Sequence, residues 1–114
     1  MKSSFFAILL LLVTSNMAHS HSPMIGTSPP DGAVIAQSPG TIAFEFKISV
    51  RLTKVTIQAD DQLPKNIDLS SNKSFAKELS LSPPALGPGS YEVEWRGMAE
   101  DGHVMRGSFS FSVK

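Results

Sequence analysis

Alternation constrains this chain more than any other feature. Tyr91, Val93 and Trp95 share one parity, and Glu92, Glu94 and Arg96 share the other. Phe109, Phe111 and Val113 likewise alternate with Ser108, Ser110 and Ser112. A period of two places every second side chain on the same face of an extended backbone, so each segment reads as a strand with one buried face. Thr41–Ile48 repeats the pattern, with Ile42, Phe44, Phe46 and Ile48 on the apolar side. Leu52–Ala59 does so through Val55, Ile57 and Ala59. Phe75–Leu81 alternates less cleanly, because Lys77 falls on the apolar side. No stretch among these segments carries a helical period. Turn chemistry separates the segments: Ser28-Pro29-Pro30-Asp31-Gly32, Ser38-Pro39-Gly40, and the stretch from Ser82-Pro83-Pro84 to Gly89. Asp101-Gly102 lies between the two clearest strands and is a short-range hairpin signal. Several short strands at this spacing predict an all-β chain built as a β-sandwich, with a small closed barrel as the alternative.

The alternation starts only after a different kind of segment. Met1 and Lys2 lead into an uncharged apolar run, Phe5 to Val13, followed by small and polar residues to Ser20. That is the order of a secretory leader: basic start, short apolar stretch, small-residue cleavage site. A retained membrane anchor is the competing reading, but spanning a bilayer takes roughly 20 apolar residues. Ala18 and Ser20 suit the third-last and last positions before a cut, which gives a leader of residues 1–20 and a domain of residues 21–114. Cleavage after Ala18 is the other possibility. The expected product is a secreted, soluble protein with no membrane insertion after cleavage.

The chain has no cysteine, which excludes thiolate metal sites and cysteine nucleophiles. Its formal net charge is zero. No basic run is present to favour nucleic acid or anionic lipid. No phosphate-binding glycine loop or nucleophile elbow occurs, and no enzymatic activity is expected.

Two histidines lie beyond the leader, His21 and His103. A hairpin at Asp101-Gly102 brings the Asp101 carboxylate and the His103 imidazole to one end of the sheet. Gly102 is suited to the positive φ such a turn requires. His21 as first residue offers an α-amine and an imidazole nitrogen that can close a chelate ring on one ion. Together with Asp101 and His103 this makes three nitrogens and one oxygen, a set that suits tetragonal copper(II). Against this, an Asp-Gly pair is often only a turn, and a terminal histidine is often only solvated. Cleavage after Ala18 would instead expose His19-Ser20-His21, a terminal peptide able to wrap copper(II) without the fold.

The stretch from His21-Ser22-Pro23-Met24 to Ser28-Pro29-Pro30-Asp31-Gly32 resembles the mature start of CopC copper-resistance proteins. Gly89-Ser90-Tyr91-Glu92-Val93-Glu94-Trp95-Arg96, then Asp101-Gly102-His103, then Gly107-Ser108-Phe109-Ser110-Phe111, is similar to that family's closing strands and turn. The resemblance implies an immunoglobulin-like or cupredoxin-like Greek-key β-sandwich in the periplasm. It implies one copper(II) ion held by His21, Asp101 and His103, a role as copper carrier or buffer, and an inner-membrane CopD-type transporter as partner. Two departures accompany it. Met24, Met98 and Met105 are too scattered for a methionine-rich copper(I) loop. Lys47 and Ile48 stand after Phe46, where the family often has Ser-Glu. A metal-free immunoglobulin-like interaction module is the alternative from another class, and a copper-dependent oxidase ranks last.

Overall fold

The computed structural model describes residues 23–114. The expected leader, its expected boundary and His21 lie outside the described residues. Seven strands follow in chain order: β1 (Met24–Ser28), β2 (Ala33–Ile35), β3 (Ile42–Ala59), β4 (Lys65–Asn66), β5 (Ala76–Leu81), β6 (Gly89–Ala99) and β7 (Val104–Val113). All are linked by hydrogen bonding into one sheet that folds over itself as a β-sandwich. Among the described residues no helix is long and apolar enough to cross a membrane.

The fold turns on β3. Its eighteen residues join two segments that alternation alone reads as separate strands. The first half pairs with β1 on one edge and with β5 on the other. The second half pairs with β6 and, on the opposite edge, with β4. Register shifts between Glu45 and Val50 and between Leu52 and Lys54 bend the strand from one layer into the other. Buried positions record the slip: Ile42, Phe44, Phe46, Val50 and Leu52 keep one parity, and Val55 and Ile57 take the other. Ile48, expected on the buried face, lies at the bend and is 42% exposed.

Aromatic side chains join the layers. Phe46 meets Trp95 edge to face at 5.3 Å between ring centroids, and Phe44 meets Phe109 at 5.8 Å and Trp95 at 6.2 Å. Trp95 is buried, as expected for a tryptophan on a sandwich strand. Gly107 lies opposite it in register, and a Cβ there would come within 2.8 Å of the indole. The absence of a side chain at Gly107 is what seats the ring.

The sandwich is closed by parallel pairing of β2 with β7, an element too short to show in the alternation. Asp31 supports it: Gly32 N–H donates to the Ser110 carbonyl at 2.7 Å, and Ser110 N–H donates to Asp31 Oδ1 at 2.9 Å. Near the start of β6, the Tyr91 hydroxyl donates to the Gly87 carbonyl, four residues upstream, at 2.6 Å. This resembles the tyrosine corner of immunoglobulin-like sandwiches. Tyr91→Phe keeps the ring stacked on Phe111 and removes that bond. The expected loss is about 1 kcal/mol of unfolding free energy by urea titration; an unchanged midpoint would show the corner to be idle.

Candidate metal centre

β6 and β7 are joined by Glu100, Asp101, Gly102 and His103, the first three forming the loop inside the Ala99–His103 hydrogen bond. Ala99 and His103 close the loop, with Ala99 N–H donating to the His103 carbonyl at 2.9 Å. Gly102 N–H donates back to the Ala99 carbonyl at 3.0 Å, and Gly102 has φ of 90°. This is the three-residue hairpin in which a left-handed glycine allows the strands to rejoin register. Asp101 therefore sits at the tip and His103 at the foot of the second strand.

The turn locks the pair together. His103 N–H donates to Asp101 Oδ1 at 3.1 Å, and His103 Nδ1 lies 2.5 Å from Asp101 Oδ2. Because an ionised carboxylate only accepts, the hydrogen of that contact resides on Nδ1. The backbone donation, and after it the imidazole donation, holds the Asp101 carboxyl below the usual carboxylate range. Both side chains are open to solvent, 82% for His103 and 62% for Asp101. The imidazole Nε2 has no protein partner among the described residues.

The structure thus brings together two of the three residues expected at the site; His21, the third, lies outside the described residues. The chain enters the described region on the edge of β3 that β6 also uses. The Pro23 carbonyl accepts from Lys47 N–H at 2.7 Å, which continues the β1–β3 ladder. Val50, three residues further along β3, pairs with Ala99 at the root of the turn. Since β5 follows the other edge of β3, β1 and β6 share one edge.

The remaining sequence candidates fall elsewhere. Met24 and Met105 pack against the core. Lys47 and Ile48 bring no carboxylate, and no group of three His, Asp or Glu side chains able to hold a metal occurs among the described residues. Sequence reasoning did not anticipate the Asp101–His103 contact itself, only the nearness of the two groups.

The features above define a small Greek-key β-sandwich with a carboxylate–imidazole pair on an exposed hairpin. The chain belongs to the CopC domain family, whose model matches residues 24–114. It is 29% identical over 111 residues to copper resistance protein C of Xanthomonas campestris pv. juglandis, covering 90% of this chain and 87% of that one. It is 26% identical over 113 residues to protein YobA of Escherichia coli K12, covering 95% and 90% respectively. The crystal structure of CopC from Methylosinus trichosporium OB3b superposes with a TM-score of 0.66 at 27% identity, covering 82% of this chain and 94% of that one. The methionine-rich copper resistance protein PcoC of Escherichia coli shares the fold, with a TM-score of 0.59 at 23% identity over 83% of this chain and 100% of that one.

Proposed function

We propose that the chain is a periplasmic copper(II) carrier or buffer. One ion would be held by the α-amine and imidazole of His21, the Asp101 carboxylate and the His103 imidazole. The Asp101–His103 pair is the observation that carries this reading. Two cis ligands with bonds of about 2.0 Å lie about 2.8 Å apart. Oδ2 and Nδ1 already stand at 2.5 Å. An ion that displaces the shared hydrogen meets two donors close to chelating separation, fixed by the turn. Membership in the CopC family and the names of its copper-resistance members support copper as the cargo. The imidazole and amine donors favour copper(II) over the other divalent first-row metals.

His21 as the third ligand is what the family resemblance implies, and it is supported by the place of Pro23, the first described residue, whose carbonyl is bonded to Lys47 on the edge of β3 that also carries Ala99 of β6. This reading requires the leader to end at Ser20, so that His21 has a free amine. A CopD-type inner-membrane transporter would be the acceptor or donor of the ion. The site carries no group placed to turn over a substrate, and we assign it none.

Copper(II) titration of the mass-verified mature protein, followed by electron paramagnetic resonance, tests the proposal. The expected result is one equivalent bound with a nitrogen-rich tetragonal spectrum. Binding no tighter than adventitious would overturn it and favour the metal-free interaction module.

Loading should release protons, so affinity is expected to fall with acidification. Asp101 is not the group that responds first, because the two His103 donations, the backbone one foremost, hold its carboxyl below its ordinary value. The loss should track protonation of the nitrogen donors. A midpoint in the carboxylate range, measured by competition titration across pH, would contradict this.

A further inference from the structure

Below the turn, the outer face of the second layer carries charges in a row. Lys54 on β3 lies in register with Arg96 on β6, and Arg96 with Arg106 on β7. Side chains so paired project from the same face with Cβ atoms about 5 Å apart, and like charges directly opposite one another are destabilising. All three are exposed. Among the described residues none of them has a carboxylate within ion-pair distance. Glu94 stands on the next row, opposite Thr56 and Ser108, and leaves the three cations unpaired. The chain as a whole is neutral, so the row is a local arrangement and not the surface of a basic protein.

The row borders a shallow depression of about 480 Å³ whose lining includes Lys54, Thr56, Pro64, Glu94, Arg96 and Arg106. On the side toward the hairpin the next position in register is Met98 opposite Val104, and Val104 is 75% exposed. The face therefore offers a cationic row with an apolar contact beside it.

We propose that this face docks an extended acidic segment of a partner protein. Three strands at about 4.8 Å spacing spread the cations over about 10 Å. That is wider than a single phosphate or carboxylate can bridge. The two guanidinium groups suit bidentate carboxylate recognition, and Lys54 supplies a further point charge for a second acidic side chain. Nucleic acid fits less well, because the aromatic side chain exposed among the described residues, Phe75, lies under Arg51 and does not line the depression. Val104 would pack against an apolar residue of the same segment. The repulsion stored along the row is then relieved in the complex. None of this requires a bound metal, so the surface can fail or stand independently of the copper site.

The test uses the metal-free mature protein, a hexaglutamate peptide as probe, and backbone amide shifts in a titration at low salt. Shifts are expected at Lys54, Arg96, Val104 and Arg106. The double variant R96E/R106E keeps like charges opposite one another and should weaken binding at least tenfold. K73E/K77E makes the same change in net charge on other elements and should stay within twofold. Arg106→Thr should lose affinity while raising the melting temperature, because a repulsive pair is removed. The proposal is overturned by no binding, by equal weakening in K73E/K77E, by inorganic phosphate binding the row as tightly as the peptide, or by a melting temperature that does not rise in Arg106→Thr.

Discussion

Replacing His103 by alanine should lower copper(II) affinity at least 100-fold, a figure at the upper end of what even an indirect supporting partner costs a metal site. The substitution removes a nitrogen donor and leaves the Asp101 carboxylate without the imidazole that holds Oδ2 at chelating separation. It does not remove the turn. The N–H of residue 103 still reaches Asp101 Oδ1, and the bonds between Ala99, Gly102 and residue 103 are all backbone. At 82% exposure the imidazole contributes little packing, so unfolding free energy should move by no more than about 0.5 kcal/mol. A large loss of affinity with unchanged stability would locate the ion at the hairpin. Unchanged affinity, with a mature chain beginning at His19, would transfer the ion to a terminal peptide and remove the fold from the account.

The second large effect concerns the core. Trp95→Ala should cost about 3–5 kcal/mol of unfolding free energy, the range for deleting a large buried aromatic. Trp95 is 3% exposed and packs edge-on against Phe44 and Phe46 from the facing half of β3. It also covers Gly107, which has no Cβ with which to fill the space. The neighbours best placed to collapse into the cavity are themselves rings in contact, so relaxation should be limited. Domains of this size have only about 5–15 kcal/mol in total, and the variant should melt far earlier. A loss below about 1.5 kcal/mol in urea titration would mean that the layers repack without the indole.

Much of this was legible in the residues. Strands β6 and β7 alternate through their whole length, because one face meets the core and the other meets water, so their period survives in the sequence. The hairpin between them announces itself through Asp101-Gly102. β3 is the instructive failure. Its alternation breaks where the strand bends, and a break in period looks the same as a break in the chain's direction until the partners on each side are known. β2 was invisible for another reason: three residues hold no period, and what places them is a parallel partner some eighty positions away. At the site, residue identity indicated a ligand set, but the contact between Nδ1 and Oδ2 depends on the three-residue geometry of the loop, which composition does not encode. The cationic row was hidden in the same way, since Lys54, Arg96 and Arg106 align only through register.

The parallel clasp between β2 and β7 also sets an order in time. Ala33–Ile35 is made early, yet its partners are Phe111, Ser112 and Val113, and Lys114 N–H donates to the Ile35 carbonyl at 2.9 Å. β1 is secured by β3, but β2 must wait for Phe111–Lys114. Such distant pairing slows folding, since loop closure precedes any gain from contact. β2 therefore stays unpaired until β7 has been made, and a change that unseats β7 frees β2 with it.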